Sequence, residues 1–135
     1  MSKEAIERLY KEWIIPESKT PYHFEKRVSE HIQAYNPMCG DKYAIYIDLP
    51  IHFYGHGCAL SKASASLLMR ELENRSVTEV KSFIQSFIQS VEKGEADATL
   101  NPALNTLIAL KAYDGREDCI LLAWKAMLEY LETRH

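Results

Sequence analysis

Nowhere in the 135 residues is there a run close to the roughly 18 consecutive apolar side chains of a membrane-spanning helix. The opening Met1-Ser2-Lys3-Glu4-Ala5 lacks the apolar core of a secretion signal, so a cytoplasmic, reducing setting is expected. Cationic clusters are missing too. Lys and Arg number 16 against 19 Asp and Glu, for a net charge of −3. Without a basic stripe to neutralise phosphates, nucleic-acid binding is disfavoured. Cysteine is scarce: there are three, an odd number, with no C-x-x-C pair. That disfavours a disulfide framework and leaves metal binding, nucleophilic chemistry or plain burial. No internal repeat, low-complexity tract or second domain is visible. What remains is 47% apolar and 26% charged, an ordinary globular composition, and one domain over residues 1–135 is expected.

Spacing predicts the elements. Residues 2–14 read as a helix capped by Ser2, with Ile6, Leu9, Tyr10 and Trp13 on one stripe, and Pro16 ends it. A second helix is expected from Pro21 or Tyr22 to about Ala34, with Thr20 as cap and Phe24, Val28, His31 and Ile32 facing the core. Residues 42–49 alternate as a strand, and after Pro50 residues 51–54 return antiparallel. Gly55 and Gly57 end that strand, and a helix follows from Cys58 to about Glu73. Residues 77–92 form the clearest amphipathic helix, with a Ser76/Glu79 capping box and Gly94 as its stop. Shorter and longer helices are expected over 102–112 and 117–132, with a turn at Tyr113-Asp114-Gly115 between them. The fold class is α+β, a small antiparallel β-sheet packed against several α-helices.

The cysteines stand at structural boundaries. Cys39 lies in a Pro/Gly loop leading into a strand, Cys58 where a strand gives way to a helix, and Cys119 in the first turn of the last helix. A helix N-terminus stabilises a thiolate, the form that binds metal or attacks sulfur. Asp41 is two residues after Cys39, which in an extended segment puts both on one face. If these ends converge, three thiolates and one carboxylate would complete a tetrahedral zinc site. Inert burial of three cysteines is the competing reading, and spacing alone does not separate the two. His56 reads as the cap of an exposed strand end, and His31 as a satisfied core histidine. Ser61, Ser64 and Ser66 have no G-x-S-x-G elbow around them and read as small residues for close helix packing.

Asn36-Pro37-Met38-Cys39-Gly40-Asp41, followed by Gly55-His56-Gly57-Cys58-Ala59-Leu60-Ser61-Lys62-Ala63-Ser64-Ala65-Ser66, resembles the double signature of the NifU/IscU-type iron–sulfur cluster assembly proteins. The family's third element, a cysteine near the start of the last helix, matches Cys119. Within the family the chain resembles the SufU branch. Residues 58–119 form a long run with an extra segment around 95–110. Asp118 stands where IscU-type scaffolds carry a histidine, and their Leu-Pro-Pro-Val-Lys motif is absent. Arg116 matches an arginine that SufU proteins carry three residues before the last cysteine.

The resemblance implies a SufE/NifU/IscU-like fold and a zinc-dependent sulfurtransferase of the SUF system. It implies a Zn2+ ion held by Cys39, Asp41, Cys58 and Cys119, with iron or a [2Fe–2S] cluster as the alternative. Cys39 would accept persulfide sulfur from a SufS-type cysteine desulfurase, with Arg116 orienting Asp41 or stabilising the anionic sulfur. A downstream SUF scaffold or apo-protein would take the sulfur onward. The alternative function is a scaffold that assembles and passes on a [2Fe–2S] cluster. A structural zinc domain without sulfur chemistry is a third possibility.

Overall fold

Ser2 starts the first helix as expected, its Oγ accepting the Ala5 N–H at 3.1 Å. The computed structural model describes residues 2–73, 75–113 and 116–133, so the turn expected at Asp114-Gly115 lies outside the described residues. Helix α1 (Lys3–Leu9) passes through one π-helical turn (Tyr10–Ile14) into α2 (Ile15–Lys19). Pro16 therefore does not end the helix. The Ile15 N–H bonds to the Tyr10 carbonyl, five residues back. This wider turn shifts the register and puts Pro16 in the first turn of α2, where a missing N–H costs little.

The helix expected over 21–34 does not form. Residues 21–30 are irregular apart from a bridge at Phe24, and His31–Asn36 is strand β1. It pairs antiparallel with β2 (Asp41–Tyr46), Ala34 opposite Tyr43, and β2 pairs antiparallel with β3 (His52–His56), Ala44 opposite Tyr54. The sheet order is β1-β2-β3. Cross-strand pairing overrode an apolar spacing that imitates a helix. Phe24 packs edge-on to Phe53, while Val28 is fully exposed. His31 is not a core residue; it lies on the exposed face of the sheet, with its ring against Tyr46. The antiparallel return of β3 was legible from the short link.

The helices after the sheet follow their sequence signals closely. They are α3 (Ala59–Leu72), α4 (Val77–Lys93), α5 (Pro102–Leu110) and α6 (Arg116–Thr133). In α4 the Ser76/Glu79 capping box forms in both directions, Gly94 stops the helix in the left-handed region, and Val80, Ile84, Phe87, Ile88 and Val91 are buried. The core lies between the helices and the inner face of the sheet, where Tyr43, Ile45 and Phe53 are fully enclosed. Trp124 is its largest side chain and stacks on Phe87 at 4.0 Å. Among the described residues no helix is long and apolar enough to cross a membrane.

The serines of α3 do more than make room. The Ser64 hydroxyl donates to the Ile120 carbonyl at 2.6 Å and accepts the Trp124 Nε1–H at 2.9 Å. Ser66 donates to Glu17 Oε2 at 2.5 Å and accepts the Tyr22 N–H at 2.6 Å. Each turn of α3 is thereby bonded to a different neighbour. Replacing Ser64 with Ala should leave the buried Trp124 N–H unpaired, a loss of about 1–3 kcal/mol. Urea unfolding of Ser64→Ala should show a lower midpoint with an unchanged slope, and Trp124→Phe on that background should cost less than on the wild type.

Candidate metal centre

Cys39 comes from the turn that joins β1 to β2. Asn36 builds that turn: its side-chain oxygen accepts the Met38 N–H at 3.1 Å and its carbonyl accepts the Gly40 N–H at 2.8 Å. Gly40 then turns the chain in the left-handed region, with φ of 77°. The result is an exposed Cys39 and, two residues on, an Asp41 carboxylate that is only 2% exposed. The Cys39 thiol donates to Asp41 Oδ2 at 3.1 Å.

Cys58 arrives from the opposite end of the hairpin. The register pairs Lys42 with His56, which returns the chain after β3 to the start of β2. Cys58 is the N-cap of α3, and its Sγ accepts the Ser61 N–H at 3.4 Å in the place a serine oxygen usually takes. Its own N–H donates to Asp41 Oδ1 at 3.0 Å, and its thiol lies 3.8 Å from Asp41 Oδ2. Cys119 is buried in the first turn of α6. One ligand atom each from Cys39, Asp41 and Cys119 lie within 4.8 Å of one another, and Cys58 adjoins them through Asp41.

The three thiols differ in exposure: Cys39 is open, Cys58 half-buried and Cys119 buried. Burial pushes the Cys119 thiol well above the ordinary cysteine range, and the negative charges of Cys58, Cys39 and Asp41 push in the same direction, as does a hydrogen bond with Cys58. The Tyr43 phenol is raised too, chiefly by burial and against its hydrogen bond with Ser61, so it stays a neutral donor. The donor set is an exposed sulfur, a half-buried one and a buried one beside a buried carboxylate. Among the described residues Asp41 bonds only to Cys39 and Cys58, not to a basic side chain. Such a set fits a zinc or iron cation, which would supply the positive charge that several close acids require.

The other candidates fall elsewhere. Arg116 is exposed at the start of α6 and lines a cleft of about 410 Å³ with Tyr10, Lys11, Leu60 and Tyr113. His56 ends β3 exposed and shares its face of the sheet with Lys42, opposite to Asp41. His52 is buried at the far end of β3, where its Nδ1 meets the Pro50 carbonyl at 2.6 Å and its ring stacks on His23. Sequence reasoning took Gly57 for a turn residue and missed its closer role. A Cβ there would overlap the Tyr43 hydroxyl and lie 2.7 Å from both Asp41 Oδ1 and Ser61 Oγ. The signal was a glycine placed between a strand end and a helix start, one residue before Cys58.

The chain matches no protein-family model. It is 31% identical over 104 residues to the iron–sulfur cluster assembly scaffold protein IscU of Thermotoga maritima, covering 72% of each protein. It is 26% identical over 132 residues to the zinc-dependent sulfurtransferase SufU of Bacillus subtilis, covering 90% of this chain and 88% of that one. Among solved structures, FiSufU of Fervidobacterium islandicum AW-1 is similar with a TM-score of 0.75 at 26% identity, covering 91% of this chain and 96% of the other.

Two outcomes follow from the geometry. Gly57→Ala should displace Asp41 from the Cys58 N–H and lower stability by about 1–3 kcal/mol through overpacking, read as a lower melting temperature of chelator-treated protein. A stable Gly57→Ala variant with wild-type thiol reactivity would contradict the crowding. In the chelator-treated wild type, alkylation followed by peptide mass spectrometry should label Cys39 first and Cys119 last. Labelling of Cys119 should climb steeply only in alkaline buffer, because a raised thiol pKa keeps it protonated through neutral pH.

Proposed function

Because the chain belongs to the IscU/SufU family of iron–sulfur cluster assembly proteins, we propose that it accepts persulfide sulfur from a SufS-type cysteine desulfurase and passes it on. The supporting observation is the asymmetry of the thiols: an exposed Cys39 shares the buried Asp41 carboxylate with two sheltered cysteines. Cys39, Asp41, Cys58 and Cys119 would hold a zinc ion. Zinc, when bound, supplies the positive charge that keeps these thiols deprotonated at neutral pH.

In the transfer step the Cys39 thiolate attacks the outer sulfur of the donor's cysteine persulfide. A sulfur–sulfur bond forms at Cys39, the donor's own sulfur–sulfur bond breaks, and the donor cysteine leaves as a thiolate. The exchange is redox-neutral and needs no further reactant. Asp41 and Cys58 stay bonded to each other through the Cys58 N–H while Cys39 moves. Arg116 would have to turn from its cleft beside Tyr10 and Leu60 toward Cys39 to steady the incoming anionic sulfur by a charge-assisted hydrogen bond. A downstream SUF scaffold or apo-protein would take the sulfur from Cys39.

A second reading is a scaffold that builds a [2Fe–2S] cluster as cargo. It is favoured by the same sulfur-rich donor set and by the Thermotoga maritima relative, which is a scaffold protein by name. Metal analysis of aerobically purified protein and a desulfurase assay separate the two. Sulfur transfer predicts about one zinc per chain and strong stimulation of desulfurase turnover, abolished in Cys39→Ala. No stimulation, together with cluster formation from iron and sulfide under anaerobic conditions, would replace it with the scaffold.

A further inference from the structure

We propose that the hydroxyls of Tyr43 and Ser61 are a positioning pair for the metal centre, through which strand β2 orients Cys58 and sets the affinity and geometry of the site. The inference rests on the metal-site reading above.

Every polar group of Cys58 is held. Its N–H donates to Asp41 Oδ1 at 3.0 Å, its Sγ accepts the Ser61 N–H at 3.4 Å, and its carbonyl accepts the Ser61 hydroxyl at 3.2 Å as well as the Lys62 N–H at 3.1 Å. A serine has one hydroxyl hydrogen, and here it goes to the Cys58 carbonyl. The 2.8 Å contact between Tyr43 Oη and Ser61 Oγ is therefore donated by the tyrosine. The hydrogen bonds run one way, from Tyr43 to Ser61 to Cys58.

Tyr43 follows Asp41 by two residues, on the same face of β2. The strand thus grips the start of α3 at two points, Asp41 on Cys58 itself and Tyr43 on Ser61. Both hydroxyls are buried, Tyr43 at 1% and Ser61 at 2% exposure, so bulk water does not substitute for either. Gly57 is the residue that fits beside them, since the Tyr43, Asp41 and Ser61 oxygens all crowd the place a Cβ would take. Cys39 shares none of this: its sulfur contacts Asp41 alone among the hydrogen bonds of the described residues. The pair holds Cys58 and makes no bond to the exposed Cys39.

Tyr43→Phe keeps the ring that packs edge-on to Phe53 and removes only the hydroxyl. The full-length protein is titrated with zinc against a competing chelator and, separately, loaded with cobalt(II) for its absorption spectrum. Loss of an outer-shell partner of this kind typically weakens metal binding about 10- to 100-fold. We expect about a 10-fold loss at the low end of that range, with shifted cobalt d–d bands. Ser61→Ala should show at least as large a loss, and the double variant no more than Ser61→Ala, because Tyr43 acts through Ser61. Wild-type affinity and an unshifted cobalt spectrum in Tyr43→Phe would overturn the pairing, as would additive losses in the double variant. A wild-type chain that binds neither ion would overturn the metal-site reading itself, and this inference with it.

Discussion

One buried carboxylate ties the sheet to the helix that follows it. Asp41 opens β2 and accepts the N–H of Cys58, the N-cap of α3, across 17 residues of chain. A hydrogen bond to a charged acceptor contributes about 1.5–3 kcal/mol. An anion beside a helix N-terminus adds roughly 0.3–1 kcal/mol through the helix dipole. The geometry that makes the bond possible is the β2–β3 register, which brings His56 opposite Lys42 and so returns Cys58 to Asp41. Gly57 lets the backbone pass close enough, and Gly55 does the same one step earlier, where a Cβ would run into the Lys42 carbonyl. Among the described residues the side chains that bond to this enclosed carboxylate are thiols, not bases. The same contact that holds the fold together thus fixes the carboxylate beside the cysteine sulfurs.

Helix α3 spreads that constraint through the molecule. Its three buried serines each bond in a different direction: Ser61 toward Tyr43 and Cys58, Ser64 toward α6, Ser66 toward Glu17 and the backbone of Tyr22. Ser64 matters for the candidate metal centre although it makes no hydrogen bond to Cys39, Asp41 or Cys58. It bonds the carbonyl of Ile120, the residue after Cys119, and so fixes the depth at which α6 delivers its sulfur. Alternating alanine and serine through residues 63–66 serves two purposes. The small side chains let α3 approach the sheet and α6 closely, and the hydroxyls give those approaches direction. Leucines in their place would bury more area and would specify neither the position of Cys58 nor that of Cys119.

This division explains what the sequence made legible. The helix over residues 77–93 was readable because its capping box, its apolar stripe and its terminal glycine are all local. Cys39, Asp41, Cys58 and Cys119 stood out as candidates through their boundary positions and the family resemblance, and the fold brings them near one another. Strand β1 was not readable. Thr20-Pro21 imitates a helix start and Phe24, Val28 and Ile32 imitate a helical stripe, while the decision for a strand is made by pairing with Asp41–Tyr46, which no local pattern records. The π turn at Tyr10–Ile14 was hidden for a related reason, since Pro16 signals a stop and only the shifted hydrogen bond of Ile15 shows how the helix continues. The roles of Tyr43, Gly57 and Ser61 depend on three segments meeting at one carboxylate, and none of those meetings is written in the spacing of a single segment.

The donor atoms by themselves do not separate a sulfur acceptor from a cluster scaffold; what separates them is which ligand is able to leave. The turn that carries Cys39 is closed by its own bonds, from Asn36 to Met38 and Gly40, and holds the cysteine exposed, with Asp41 as its thiol's partner. Cys58 is bonded through its N–H, its carbonyl and its sulfur, and Cys119 is enclosed by α6 and the core. A cargo cluster can be held by the same sulfur-rich donors. Transfer of one sulfur atom needs a single ligand that departs and returns while the others keep the site intact. The graded exposure of Cys39, Cys58 and Cys119 beside the buried Asp41 meets this requirement and carries the proposed acceptor role, while the donor set stays compatible with a scaffold.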